Sequence, residues 1–354
     1  MAPNRSLISS NNFPQLRKAK TIVLKIGTSI LVDSDTNLIK SDWLETFIQE
    51  IVELKNNGKN IIIVSSGSIA LGKEVLKLGS KKLELDESQA SAAVGQIRLA
   101  QAYETCLKQF NINSAQILLT SEDSHDRRRY LNIRSTMKSL MKMNVIPIVN
   151  ENDTVATDEI KFGDNDRLAA QVALTSEADL LILLSDTDGL YETDPHLNPN
   201  AKHFSVINKI TPELLQMAGQ TKSENSKGGM ITKLEAAKIA VNGGCEMVIA
   251  DGSKNYPLDN FINGKSKYTR FLPKNDVTTL RKQWILSIKT KGKLFIDPGA
   301  ILALENNKSL LPAGVLKSSG IFLRGDAVEI LSVDNEKIGQ GLSGYTSSEV
   351  EKIK

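Results

Sequence analysis

The sequence predicts an α/β protein, a three-layer sandwich around a mainly parallel sheet, followed by a small β-rich module. Three observations carry that expectation. Six short apolar runs recur between amphipathic stretches from residue 21 to residue 251. The runs are nearly continuous in Val, Ile and Leu, as strands covered on both faces should be. Beyond about residue 272 the pattern changes to short strands with frequent Gly and Pro.

Taken in order, the first twenty residues, "MAPNRSLISSNNFPQLRKAK", are polar and free of acidic side chains. They lack the apolar centre of a secretory signal, and their basic composition is shared with organelle transit peptides. Residues 1–19 are read as a disordered extension. "TIVLKI" (21–26), "NIIIVSS" (60–66), "SAQILL" (114–119), "VIPIVN" (145–150), "LLILLSD" (180–186) and "EMVIAD" (246–251) read as strands. After the first, Ser41 is a candidate N-cap for a helix whose apolar stripe is Leu44, Phe47, Ile48 and Ile51, and Gly58 suits its end. Thr232 to Val241 reads as a helix stopped by "NGG" (242–244). Repeated β-α-β units imply parallel pairing. The expected domains are 20–271, a linker at 272–290, and a β-rich module at 291–354.

Composition narrows the function. At 40% hydrophobic and 24% charged, 354 residues make an ordinary globular chain long enough for two domains. A net charge of +3 does not mark a nucleic-acid binder, and 5% aromatic residues argue against a base-stacking surface. Cys106 and Cys245 are isolated, and there are three histidines. No zinc site is expected, and the cysteine usage fits a reducing, cytoplasmic setting. No apolar run approaches the roughly 18 residues of a membrane span.

Four segments carry chemistry, three of them placed after apolar runs, where open α/β sheets collect functional groups. "KIGTS" (25–29) sets Lys25 in an otherwise apolar strand before small residues that let backbone N–H groups approach an anion. "SSGSIALG" (65–72) offers Ser65, Ser66 and Ser68 to a carboxylate or phosphate, with Gly67 and Gly72 permitting tight backbone geometry. On its own this segment reads equally well as a Gly/Ser turn. "NENDTVATDEIKFGDNDRLAA" (150–170) packs six carboxylates into positions 151–166, either a solvated loop or a site that grips a cation and organises lysines. "SKGGMITK" (226–233) opens a helix with a Gly pair and Lys233, and free N–H groups there favour an anion. The polar "GQTKSEN" (219–225) before it suits a lid. GxxxxGK[ST] does not occur, and no GxGxxG occurs between residues 20 and 271, which removes the P-loop and dinucleotide motifs from that region. Two lysines, two glycine-rich cradles and an acidic loop together describe phosphoryl transfer, with a central Asp holding both lysines. "DRRRY" (126–130) is read as a solvated or ion-paired helix start.

"VLKIGTSIL", "IIIVSSGSIALG", "AAVGQIRLAQ", "DRRRYLNIRST", "IPIVNENDTVATDEIKFGDNDRLAA", "LLLSDTDGLYETDP" and "GGMITKLEAAKIA" closely resemble the glutamate 5-kinases, a branch of the amino acid kinase family. "DPGAILALENNKSLLPAGV" and "GIFLRGDAVEI" resemble the PUA domain attached to many of them. The resemblance implies ATP-dependent phosphorylation of the L-glutamate γ-carboxylate, with Mg2+ carried on the nucleotide and no side chain assigned to it. It implies that Lys25 and Lys233 neutralise the phosphoryl group and that Asp166 orients them. Ser66, Asp153 and Asn165, with Asp164 close by, would bind glutamate. Lys25, Ser185, Asp186 and the stretch Lys227, Gly228, Gly229, Met230, Ile231, Thr232, Lys233 would border ATP. Feedback inhibition by proline and a homo-oligomer are implied too, together with RNA contact through the PUA-like module. No membrane contact is expected.

Three departures from the family pattern stand out. Ser226 and Lys227 replace the usual Gly-Thr before "GGM", and Ser68 replaces the usual Ala of an "SSGAI" turn. The PUA-like module reads as shortened, ending at "SSEVEKIK". Two other readings compete: a sibling amino acid kinase with another acceptor, against which "GDND" argues, and an RNA-binding protein that uses the C-terminal module.

Overall fold

The computed structural model describes residues 7, 13–79, 81–120, 123, 126–155, 165–193, 195, 198, 200–220, 229–273, 290–306 and 308–354. The chain divides into two compact units, Met1–Lys274 and Asn275–Lys354. Most of the expected linker, residues 274–289, lies outside the described residues.

The first unit contains β1 (Thr21–Ile26), β2 (Asn60–Ser65), β3 (Ser114–Leu119), β4 (Ile146–Glu151) and β5 (Leu180–Ser185). β6 (Leu190–Tyr191) and β7 (His203–Phe204) make a small ribbon, and β8 (Val206–Ile207), β9 (Glu246–Asp251) and β10 (Tyr268–Phe271) follow. Eight of these form one sheet in the order β3-β4-β2-β1-β5-β9-β10-β8. Neighbours run parallel except β10 against β9. The α/β expectation with a mainly parallel sheet therefore holds. β3 departs from it in one respect. It sits at the sheet edge, and most of its residues are only half-buried or exposed, because one side has no strand to cover it.

Side-chain alternation along β1 sorts the two faces. Ile22, Leu24 and Ile26 enter a core shared with the helices Ser41–Asn56, Leu85–Lys108 and Pro257–Ile262. Val23 points the other way, into a core shared with the helices Asp166–Thr175 and Met230–Asn242. Lys25, two positions on, shares the face of Val23 by the same alternation. The helix expected to start after an N-cap at Ser41 begins at Ser41, with Lys40 in the cap position. The helix expected at Thr232 begins two residues earlier, at Met230.

At its described residues, 7 and 13–19, the N-terminal extension differs from expectation. Pro14–Lys18 is a short helix, and Phe13 and Leu16 are buried in the first core. Phe13 packs edge-on against Phe261 and Tyr268 with ring centroids 5.5 Å apart. Leu7 is buried in the same core, so a few apolar residues anchor a polar segment, which the overall polarity of residues 1–19 conceals.

Two helices touch with no room between them. A Cβ on Gly95, in Leu85–Lys108, would lie 1.8 Å from the Ser68 carbonyl oxygen, and one on Gly72, in Ser68–Val75, 1.8 Å from that of Ser91. This close approach brings the middle of the long helix up to the end of β2.

In the second unit, β11 (Gly292–Ile296), β12 (Val315–Gly320), β13 (Ala327–Leu331) and β14 (Lys337–Leu342) form a sheet in the order β12-β11-β13-β14. Leu294, Ile296, Val315, Phe322, Val328, Ile330 and Val350 make its core. The last helix, Ser347–Ile353, is held by a capping box between Thr346 and Glu349. No helix among the described residues is long and apolar enough to cross a membrane.

Gly95→Ala tests the helix contact. Forcing a methyl group into a backbone contact should lower unfolding stability by about 1–3 kcal/mol, read as a shifted midpoint in urea denaturation.

Candidate active site

Lys25, Asp166 and Lys233 come from three separate elements. Lys25 is in the central strand β1, Asp166 is the first residue of the helix Asp166–Thr175, and Lys233 lies in the first turn of Met230–Asn242. The Asp166 carboxylate is fully buried and lies between the two ammonium groups. Oδ1 is 2.5 Å from Lys25 Nζ and Oδ2 is 3.3 Å from Lys233 Nζ. Both lysines are themselves buried. The three side chains carry two positive charges and one negative, an arrangement suited to receiving an anion. Position at a helix N-terminus adds a favourable field for the carboxylate.

Beside the lysines lies a network of buried amides and hydroxyls. Asn165 Nδ2 donates to the Ser65 carbonyl at 3.1 Å and to Asn150 Oδ1 at 2.7 Å. Asn150 Nδ2 donates to Gln96 Oε1 at 2.7 Å and to Ser68 Oγ at 3.3 Å. Ser68 Oγ donates to Asp153 Oδ2 at 3.1 Å. Tyr103 donates its hydroxyl to Ser65 Oγ at 3.0 Å. Gly67, with φ of +113°, makes the turn from β2 into the helix Ser68–Val75. Burial pushes the Asp153 carboxyl up to about 6, opposed by the Ser68 hydrogen bond.

The expected residues distribute as follows. Ser66 is buried, with its backbone N–H donating to the Ile26 carbonyl at 3.1 Å, so it lies beside the end of β1. Ser185 closes β5, the neighbour of β1, and donates to Asp186 Oδ1 at 3.1 Å. Gly229 precedes the helix that carries Met230, Ile231, Thr232 and Lys233, and Thr232 Oγ1 donates back to its carbonyl at 2.8 Å. Asp164, Lys227 and Gly228 lie outside the described residues, as do Ser226 and most of the expected lid. "DRRRY" is a helix start, in which Asp126 accepts the Arg129 N–H at 2.9 Å and Arg129 pairs with Asp123. Gln96 and Asn150 were not singled out from sequence. Their signal was a polar side chain next to a glycine in a helix, and the first Asn of the acidic run.

Asp166→Asn would leave two buried ammonium groups facing a neutral amide. We expect a stability loss on the order of 3–5 kcal/mol, measured by denaturant unfolding.

Residues 20–251 match the amino acid kinase family and residues 292–354 the PUA domain. Among curated relatives, a glutamate 5-kinase of Ruegeria sp. (strain TM1040) is 52% identical over 338 residues, spanning 96% of this chain and 92% of the relative. One of Cereibacter sphaeroides is 51% identical over 340 residues, spanning 96% and 91%. The crystal structure of a UMP kinase from Bacillus anthracis shares the fold at a TM-score of 0.50 and 16% identity, covering 73% of this chain and 97% of that one. With half its residues shared across nearly its whole length, this chain belongs to the amino acid kinase family and, within it, to the glutamate 5-kinases.

Proposed function

We propose that the chain transfers the γ-phosphoryl group of ATP to the γ-carboxylate of L-glutamate, giving L-glutamyl 5-phosphate and ADP in the first step of proline biosynthesis. The observation that carries this reading is the buried Asp166 carboxylate lying between Lys25 and Lys233. A γ-carboxylate oxygen attacks the γ-phosphorus as the bond to the β–γ bridging oxygen breaks. Negative charge spreads over the transferred oxygens, and two ammonium groups held by one carboxylate face it. The acceptor carboxylate has an ordinary pKa of about 4.3 and is already ionised. No general base is needed, so the lack of a histidine in this network is consistent with the chemistry.

Asp153 would hold the α-ammonium of glutamate, and Asn165 and Ser66 would hydrogen-bond its carboxylates, with Asp164 alongside. Ser185, Asp186 and the stretch from Lys227 to Lys233 would border ATP. Among the described residues no group of three or more His, Cys, Asp or Glu side chains stands ready for a metal. Magnesium would be carried on the nucleotide phosphates, in keeping with its habit of retaining several waters. Proline carries the same α-ammonium and α-carboxylate chemistry, so it would compete for Asp153 and its neighbours. A cytoplasmic setting agrees with the free thiols of Cys106 and Cys245. Homo-oligomers and RNA contact by the second unit follow from the resemblance only.

Two measurements test the reading. ADP release with Mg-ATP and L-glutamate, with hydroxylamine present, should yield trapped hydroxamate that is lost in Lys233→Ala; turnover only with aspartate, N-acetylglutamate or carbamate would refute the acceptor. The second is a pH profile. Asp153 is neutral below about pH 6, and a neutral carboxyl cannot pair with an ammonium. Log kcat/KM for glutamate should therefore fall with a slope near one as pH drops below about 6, well above the substrate's own carboxylate range. Asp153→Asn should remove that inflection.

A further inference from the structure

Ser68 is the first residue of its helix, and its side chain joins Asp153 to the amide network. The direction of each bond can be worked out. Asn150 Oδ1 accepts from the Glu151 backbone N–H at 2.9 Å and from Asn165 Nδ2 at 2.7 Å, which fixes the orientation of the Asn150 amide. Its Nδ2 is then a donor only, so Ser68 Oγ must accept from it. The single Ser68 proton is left for Asp153 Oδ2. The backbone beneath the hydroxyl is fixed as well, since Gly67 sets its entry angle and the Ser68 carbonyl lies against Gly95 without room for a Cβ. A hydroxyl with one available proton, on an immobile backbone, defines where the Asp153 carboxylate points.

We infer that Ser68 is a positioning residue for amine recognition, whose hydroxyl aims the Asp153 carboxylate at the α-ammonium of the acceptor and so favours amino-bearing acids over their deaminated analogues. The inference rests on the proposed role of Asp153. Asp153 meets the cation, and Ser68 acts through it.

The test compares L-glutamate with glutarate, which keeps the reacting carboxylate and lacks the ammonium. Glutarate is scored as a substrate or as a competitive inhibitor. Wild type, Ser68→Ala, Asp153→Asn and the double variant are assayed for ADP release. Ser68→Ala should raise KM for glutamate on the order of tenfold, the worth of one hydrogen bond to a charged group. It should leave kcat, KM for ATP and the handling of glutarate near wild type. In the Asp153→Asn background it should add nothing, because the group it positions has lost its charge. Ser68→Thr, which keeps the hydroxyl, should retain most of the preference for glutamate, and Ser68→Gly, which also removes it, gives the same readout should Ser68→Ala fail to fold. Equal losses with glutamate and glutarate, or full additivity with Asp153→Asn, would overturn the inference. An unchanged glutamate KM in Asp153→Asn alone would instead remove the role of Asp153 while leaving the phosphoryl-transfer reading intact.

Discussion

Asp166 takes two ammonium groups at once, and three elements are fixed relative to one another by that requirement. Lys25 lies in β1, between β2 and β5 in the sheet, in register with Val64 and Leu183. The helices bearing Asp166 and Lys233 pack on the Val23 side of the sheet. Side chains alternate with period two, so a one-residue slip of β1 would send Lys25 into the opposite core, against the helices Ser41–Asn56, Leu85–Lys108 and Pro257–Ile262. A lysine there would be buried without a counter-charge, at a cost of several kcal/mol. The chemistry of the site and the register of the central strand are thus the same constraint seen twice. Apolar packing of β1 excludes the wrong register, and the Lys25–Asp166 pair depends on the right one.

How legible this was from sequence depends on how local each signal is. The central strands were readable because burial on both faces makes them continuously apolar, as in "IVLKI" and "LLILL". β3 was read as a strand, but its edge position was not, because neighbour count is a property of the sheet. β8 and β10, two and four residues long, give no periodic signal of their own. Lys25, Asp166 and Lys233 could be nominated one by one from unusual contexts, a charge in an apolar strand or beside glycines. Their convergence on one carboxylate needed the fold. Gln96 is hidden in the sequence because it joins the amide network only where Gly72 and Gly95 let two helices meet. Phe13 and Leu16 were masked by polar neighbours that outnumber them.

The polar network explains why the site needs so many buried amides. Asn150, Asn165, Gln96 and Ser68 are all nearly inaccessible to water, and an unpaired amide in such a place would cost about 1–3 kcal/mol. Here each has a partner, and each partner comes from a different element. Gln96 belongs to the long helix, Asn150 to β4, Ser68 to the first position of the helix Ser68–Val75 and Asn165 to the start of the Asp166 helix. A network satisfied in this way holds its members in one geometry. The pocket is accordingly preorganised by the same side chains that would otherwise destabilise the core. Ser68 extends that network by one link, to Asp153.

On the proposed reading, two carboxylates in one site, Asp166 buried and Asp153 half-buried, divide the work according to their surroundings. Asp166 is already paired with two cations, so it has little further attraction to offer an incoming ammonium and serves instead to hold the lysines. Asp153 has a hydroxyl donor from Ser68, and burial raises its pKa to about 6. A carboxylate in that condition gains most from a cation that arrives with a ligand, because among the described residues no cationic side chain pairs with it. Environments that push paired carboxylates apart are the usual means of dividing roles between them. On the proposed reading, glutamate brings the missing positive charge to Asp153 and an already ionised nucleophile to the lysines. One substrate then satisfies both halves of the site, and an acid without the amino group would leave Asp153 half-buried and uncompensated.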